Sequence, residues 1–138
     1  MKNGKLEACD LMIGDWVNYR GIDIQVTSLY DKGGSNEIGW GDKESTWVNG
    51  CNIEPIPLTT VILAKNGFDE MKRWMQMGCF LRKDPFIIWH YEEDPGYPKH
   101  LLEIHHSERN IHARFICEYV HEFQHIMKLL GFVCDIKL

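Results

Sequence analysis

The sequence lacks the features that would place it in a specialised class of protein. None of its apolar runs approaches the roughly 18 residues of a membrane-spanning helix, and its opening segment, MKNGKLEACD, lacks the apolar core of a secretion signal. Its five cysteines are widely spaced and form no CxxC pair, which argues against both a disulfide framework and a thiolate zinc knuckle. We therefore expect a cytoplasmic protein with reduced and mostly packed thiols.

Basic residues are also scarce. Adjacent basic residues occur only as Lys72-Arg73 and Arg82-Lys83, and the formal net charge is −5. Binding to nucleic acid depends on neutralising phosphates with Lys and Arg, so we expect no nucleic-acid partner unless these pairs cluster in space. The sequence contains neither a phosphate-binding glycine loop nor a nucleophile elbow.

What is present is the composition of a soluble globular protein of 138 residues, 44% apolar and 25% charged. The first third reads as five short strands separated by turn residues, including a hairpin through Arg20-Gly21. The predicted strands lie near residues 16–19, 22–27, 37–40, 45–49 and 51–56. Pro55 and Pro57 then end the strand pattern. This spacing predicts an SH3-like β-barrel over residues 1–57.

The barrel is rich in aromatic residues. An aromatic groove of the kind that receives proline-rich peptides would be formed by Trp16, Tyr19, Tyr30, Trp40 and Trp47. The alternative is that most of these rings fill the small core. For any single ring we favour the core.

The remainder, residues 58–138, predicts an α+β sheet-and-helix region packed against the barrel. A short helix over 60–66 has Thr59 as its N-cap and ends at Gly67. Residues 68–81 fit either a helix or an irregular strand. Three antiparallel strands near 85–91, 101–104 and 111–115 precede a long C-terminal helix over 117–131, and the tail 132–138 fits an edge strand.

The long helix contains the one catalytic-looking motif. His121, Glu122 and His125 satisfy HExxH, in which two histidines bind zinc and the glutamate acts on zinc-bound water. At about 100° per residue, however, both histidines point away from the apolar face. A third ligand and an enclosed cleft are also hard to build from the short tail. We therefore expect solvent-facing histidines, with a minimal zinc-dependent hydrolase as the alternative.

Histidines are also dense in the second half. Six of them fall within 26 residues and could bind a transition metal from adjacent strands and the helix. They are His100, His105, His106, His112, His121 and His125. We favour surface and partly buried histidines that titrate near neutrality. Accordingly we assign no metal, cofactor or catalytic residue.

Three segments carry a resemblance that covers most of the chain. They are LMIGDWV at 11–17, IEPIPLT at 53–59 with NGF at 66–68, and YVH with FQ at 119–124. Together they resemble a group of small uncharacterised proteins from Bacteroides-type bacteria and their phages or mobile elements. In that group the YVH helix continues with glutamine and asparagine where this chain has Glu122 and His125. The resemblance therefore implies that the HExxH pattern is local to this chain, and it assigns no chemistry.

From these observations we expect a small intracellular binding or adaptor module. Its partner would be a protein or peptide, or a second copy of this chain bound through a sheet edge or exposed aromatic residues.

Overall fold

The computed structural model divides the chain into two compact units. Residue 6 and residues 8–32, 35–41, 47–49, 52–71, 79–90, 100–106 and 111–138 are described below. One unit comprises Met1–Pro57 and Tyr119–Leu129, and the other comprises Leu58–Glu118 and Leu130–Leu138. The expected α+β class, with antiparallel sheets and a C-terminal helix, is confirmed.

The first unit contains a five-stranded antiparallel sheet in the order β4-β3-β2-β1-β5. A short 3-10 helix at Ala8–Asp10 precedes the strands, which are β1 (Trp16–Tyr19), β2 (Ile22–Lys32), β3 (Ser35–Trp40), β4 (Trp47–Asn49) and β5 (Ile53–Pro55). The predicted hairpin is present: Arg20 and Gly21 have φ of 49° and 86°, as a two-residue turn of the primed type requires.

Strand β2 serves both halves of this sheet. Its residues 22–25 pair with β1 and its residues 26–32 pair with β3, and the β3 pairing contains a register shift between Val26 and Ser28. Such a bulge bends a strand and increases its twist. The sheet covers a core of buried aliphatic side chains that comprises Leu6, Leu11, Val17, Ile24, Val26, Ile38 and Ile53. Within the described residues β4 and β5 do not pair, so a closed barrel is not found.

Helix α2 (Val120–Leu129) belongs to the first unit. Just before it, Tyr119 forms an isolated bridge with Pro57, and the Val120 N–H donates to Ile56 O at 2.9 Å. These bonds bring the chain back to the end of the first sheet. Residues 119–129 thus group with the N-terminal part, whereas we expected them in the region 58–138.

The second unit contains a five-stranded antiparallel meander in the order β10-β9-β8-β7-β6. Its elements are α1 (Thr60–Lys65), β6 (Asp69–Met71), β7 (Cys79–Lys83), β8 (Phe86–His90), β9 (His100–His106) and β10 (Ile111–Ile116). The interval 68–81, which fitted two interpretations, contains β6 and the start of β7, and residues 72–78 lie outside the described ranges.

Buried and partly buried side chains alternate along β8, and the buried ones belong to the core of this unit. In β8, Phe86, Ile88 and His90 are buried while Ile87 and Trp89 are only partly so, as expected of a sheet with one core face. Leu81, Leu102 and Ile104 on neighbouring strands are buried with them.

Both predicted ends of α1 are confirmed. The Thr59 hydroxyl accepts a bond from Ile62 N–H at 3.2 Å, which satisfies one of the free donors of the first turn. Gly67 has φ of 85°, and this left-handed conformation favours glycine.

The tail is not the predicted edge strand. Residues 132–138 form no strand. Instead, the Asn66 side chain accepts from Lys137 N–H and donates to Lys137 O, both at 2.8 Å. This amide supplies the two bonds that a neighbouring strand would have made. Phe132 packs edge-on against Phe86 at 4.9 Å between ring centroids.

The helices within the described ranges are too short and too polar to cross a lipid bilayer.

Candidate functional site

A tight turn at Met12–Trp16 lies at the centre of the candidate site. Gly14 has φ of 96°, and the Asp15 carboxylate accepts from Met12 N–H through Oδ2 at 2.7 Å. The turn is fixed to β2 because Gly14 N–H donates to Val26 O at 2.7 Å and Val26 N–H donates to Asp15 O at 2.8 Å. Asp15 is thereby held rigidly at the entry to β1.

Side chains of helix α2 bind backbone atoms of this turn. Gln124, which is 1% exposed, accepts from Trp16 N–H through Oε1 and donates to Gly14 O through Nε2, both at 2.9 Å. One turn later, the Lys128 ammonium donates to Ile13 O at 2.8 Å. A single helix face therefore meets donors and acceptors on both sides of Asp15.

Asp15 and His125 form the most polar contact of the site. The Asp15 side chain is fully buried, that of His125 is 20% exposed, and Oδ2 lies 2.5 Å from Nε2. Lys128 Nζ lies 3.8 Å from the other carboxylate oxygen. A buried carboxylate needs such partners, because leaving it without them costs several kcal/mol. The Asp15–His125 contact is therefore part of what holds α2 on the turn.

His121 is buried beside this contact. It is 5% exposed, and its ring lies 6.0 Å from Tyr119 in a stacked arrangement and 5.7 Å from His125 edge-on. Burial lowers the pKa of the His121 imidazole; Glu122, Asp15 and Asp10 oppose this effect, whereas His125 adds to it. His121 is therefore a neutral side chain at pH 7. Its Nδ1 has no hydrogen-bond partner within the described part of the chain.

The expectation that both histidines face solvent is wrong. His121 is buried and His125 is only partly exposed. The helical projection counted apolar residues as the inner face and therefore placed histidine and glutamine outside. The polar side of α2 is also covered, because Asp15 and the neighbouring backbone provide partners for Gln124 and His125.

Glu122 has a role at the start of the helix. Its Oε2 accepts from Tyr119 N–H at 3.1 Å, the reach-back of a carboxylate at the third helical position that caps the first turn. Glu122 is thus held by the backbone of its own helix. The members of the HExxH pattern therefore have separate places: Glu122 at the cap, His125 on Asp15, and His121 in the buried layer.

A catalytic zinc site would need a third protein ligand beside His121 and His125. Among the residues that the structure describes, histidine, cysteine and carboxylate side chains form no group of three or more that could hold a metal ion. Glu122 and His125 instead contact Tyr119 N–H and the Asp15 carboxylate, respectively.

The predicted aromatic groove residues are placed in different surroundings. Tyr19 and Trp40 meet at 5.2 Å between ring centroids and pack against the core of the first unit. Trp16 lies an odd number of positions from Tyr19 in β1 and therefore projects from the opposite side of the sheet. Tyr30 is 43% exposed. The side chain of Trp47 lies outside the described residues.

Within the second unit, His112 and His100 have different contacts. His112 is exposed and lies 3.8 Å from the Glu103 carboxylate, while the side chains of His105 and His106 lie outside the described residues. His100 instead meets His90, which the sequence analysis did not single out, at 2.9 Å between Nε2 and Nδ1.

Asp15 and Gln124 were not among the predicted site residues. Their only signal was the resemblance, whose segments at 11–17 and 119–124 contain them. The structure brings these two segments into direct contact.

Comparison with protein-family models, curated proteins and solved structures finds no match for this chain.

Proposed function

We propose that this chain is a protein- or peptide-binding adaptor module whose first unit is an SH3-like barrel. The strand order supports this: β1 to β4 are sequential neighbours, and β5 returns to the free side of β1. The long, bulged β2 contributes to both halves of the sheet, as a strand that turns a barrel corner does. Small barrels of this kind commonly present a shallow surface to a peptide.

The observation that carries the proposal is the Tyr19–Trp40 pair. The two ring planes are inclined by 45° and both rings are partly buried. Each ring therefore packs on the core of the first unit and keeps some accessible surface. The Arg20 guanidinium carbon lies 5.4 Å from the centre of the Tyr19 ring, within the range of a cation–π contact. Two supported rings with an adjacent arginine form a surface that suits an extended segment.

The partner that fits this surface is an extended peptide containing proline. A polyproline II segment loses little entropy on binding, and its rings stack on tyrosine and tryptophan. Arg20 would favour a carboxylate in that peptide. A second copy of the chain, bound through a sheet edge, is the other occupant to be tested.

The resemblance to small proteins of Bacteroides-type bacteria and their phages or mobile elements is part of this proposal. It rests on the segments at 11–17, 53–59, 66–68 and 119–124. Such a setting, and the cytoplasmic location we expect, suits a small module that acts by binding.

The test is selection from a displayed library of extended peptides, followed by titration of the purified chain with the selected sequences. Wild type is compared with Tyr19→Leu and Trp40→Leu, which keep apolar volume and remove the aromatic faces. We expect selected peptides to contain proline and both variants to bind at least tenfold more weakly, since losing such a contact costs about 1.4 kcal/mol or more.

Tyr30→Leu is the control, because Tyr30 is exposed and does not belong to the pair. It should bind as wild type does. Thermal unfolding of every variant shows whether weaker binding reflects loss of the fold. A library that yields no binder, together with a monomeric mass by light scattering at high concentration, would contradict the adaptor function. A wild-type dimer that dissociates in the Tyr19→Leu variant would show that a second copy of the chain, and not a peptide, occupies this surface.

A further inference from the structure

The two faces of the second sheet have different surroundings. On one face, Lys83 Nζ donates to the carbonyl of Asn66, the residue that ends α1, at 2.9 Å, and Phe86 packs against Phe132 of the tail. Lys83 and Phe86 are cross-strand partners, so their side chains lie on the same face. Helix α1 and the tail therefore lie on the face that carries the core. The alternate residues of each strand form the outer face.

Apolar side chains form a row across this outer face. Cross-strand pairing places one residue of each strand in the row, which comprises Met71, Phe80, Trp89, Leu101 and Ile116. Met71 and Ile116, at its two ends, are 42% and 63% exposed, and the three side chains between them are partly buried. With a spacing of about 4.8 Å between strands, the row is ~19 Å long.

A second row lies beside the first, two residues further along each strand, and it contains alternating charges. From β6 to β10 it comprises Asp69, Arg82, Ile87, Glu103 and Arg114. Glu103 accepts from Trp89 Nε1 at 3.0 Å and lies 3.6 Å from the Arg114 guanidinium, so its carboxylate has a fixed position. Asp69 and Arg114, at the two ends, are exposed. The order of charges is thus negative, positive, neutral, negative, positive.

This order of charges is complementary to its own reverse. When the row of a second copy lies opposite in the reversed direction, Asp69 faces the partner's Arg114. Arg82 likewise faces the partner's Glu103, and Ile87 faces the partner's Ile87. A two-fold axis parallel to β8 produces this reversal and makes each charge pair occur twice, as in an isologous dimer. Sheets that pack face to face keep their strands within about 30° of one another, which this axis allows.

We propose that the outer face of the second sheet binds a second copy of this chain and forms a two-fold dimer. The reversed apolar rows bury one another with Trp89 at the axis, and aromatic side chains are typical of the centre of an interface. The charge pairs fix the relative direction of the two rows. Because Arg82 also donates to Asp84 of its own chain, the exposed Asp69–Arg114 pairs at the two ends contribute most to this orientation.

A second copy fits this face better than an unrelated partner, because only self-association requires charges that are complementary to their own reverse order. The two rows supply ten residues per chain, fewer than the ~20–30 of a standard interface. The dimer should therefore be weak and should depend on protein concentration. This surface lies in the second unit and shares no residue with the Tyr19–Trp40 pair.

The experiment is sedimentation velocity of the full chain from about 1 μM to about 1 mM, the range of dissociation constants of weak complexes. We expect a reversible equilibrium between monomer and dimer. Asp69→Arg and Arg114→Asp each place like charges opposite one another at both ends of the dimer and should weaken it at least about tenfold. Ile116→Ser removes an exposed apolar side chain from the first row and should also weaken the dimer.

Mixing the two charge variants is the decisive comparison. One Asp69→Arg chain and one Arg114→Asp chain have opposite charges at both ends of a heterodimer, so the mixture should associate more strongly than either variant alone. Within one chain the two residues lie on opposite edge strands, ~19 Å apart, beyond the roughly 8–10 Å over which exposed charges interact at ordinary ionic strength. Recovery in the mixture therefore reports a contact between chains.

Two matched controls lie in the first unit. Glu54→Arg makes the same change of charge at an exposed strand residue, and Ile22→Ser removes an isoleucine that is 65% exposed. Both variants should dimerise as wild type does, and so should Tyr19→Leu. Circular dichroism reports the fold of each variant. If Arg114→Asp is unfolded because it places a second carboxylate beside Glu103, folded Asp69→Arg and Ile116→Ser decide the question.

Three results would overturn the proposal. They are wild-type protein that is monomeric at every concentration, folded Asp69→Arg and Ile116→Ser variants that dimerise as wild type does, and folded charge variants that remain dissociated when mixed. A dimer that is lost in Tyr19→Leu and retained in Asp69→Arg would also overturn it, because the contact between copies would then lie at the Tyr19–Trp40 pair.

Discussion

Replacing Gln124 with methionine tests the contact between helix α2 and the Met12–Trp16 turn. Methionine has a similar volume and leaves little cavity, so the change mainly removes hydrogen bonds. Trp16 N–H loses the acceptor at 2.9 Å, and Gly14 O loses the donor at 2.9 Å. Gly14 O keeps a second donor, Gln25 Nε2, at 3.1 Å, so the loss at this oxygen is the smaller one.

The magnitude follows from these two losses. A part-buried donor deprived of its acceptor costs ~1–3 kcal/mol, and loss of one of two bonds to a carbonyl costs about 0.5–1.5 kcal/mol. We expect Gln124→Met to reduce the free energy of unfolding by ~1.5–4.5 kcal/mol, which is a large share of the ~5–15 kcal/mol typical of a domain. The assay is urea denaturation followed by tryptophan fluorescence and circular dichroism.

Gln25→Met is the matched control, because it removes an exposed bond to the same Gly14 oxygen. It should cost under about 1 kcal/mol. A Gln124→Met variant within about 0.5 kcal/mol of wild type, the range of ordinary surface substitutions, would refute the reasoning. So would an equal loss in both variants.

Three further predictions concern single residues. Because burial lowers the pKa of His121, this imidazole takes up a proton at a higher pH in the unfolded chain than in the folded one. The free energy of unfolding should therefore not depend on this group above about pH 6.5 and should decrease below it by up to ~1.4 kcal/mol per pH unit. His121→Gln should reduce that slope in denaturation measured from about pH 8 to about pH 5. Thr59→Ala removes the acceptor of Ile62 N–H and should cost about 1 kcal/mol in urea denaturation. Glu122→Ala removes the cap on Tyr119 N–H and should cost about 0.5–2 kcal/mol, whereas a zinc-dependent activity lost in this variant without a change in stability would contradict the capping role.

Local patterns predicted much of the fold. The alternation in β2, the Arg20-Gly21 turn and the Thr59 cap each depend on residues that are close in sequence, and each is present. Turn and cap chemistry is local, which is why these elements could be read from the sequence.

The candidate site could not be predicted in this way. Its contacts join residues 110 positions apart, such as Asp15 and His125, and a helical projection contains no information about a distant carboxylate. Polar side chains can be buried when a hydrogen-bond partner is present. The helical projection therefore placed His121 on the solvent-facing side of α2, although it is buried.

The tail shows the same limitation. Phe132–Leu138 has the alternation of an edge strand, yet the Asn66 side chain takes the bonds of Lys137. The Asn66 amide lies 71 positions from Lys137 in the sequence, and the alternation of apolar residues in the tail contains no sign of this contact.

Through Gln124 and His125, the HEFQH segment holds α2 on the Met12–Trp16 turn. The measurement that tests it most directly is a double-mutant cycle of Asp15→Asn and His125→Gln in the free energy of unfolding, with and without added Zn²⁺. We predict a coupling of at least about 1 kcal/mol, since residues in one buried network couple by ~0.5–3 kcal/mol, and no dependence of that coupling on zinc. Additive single effects, or a stabilisation by zinc that disappears in His125→Gln, would contradict the account.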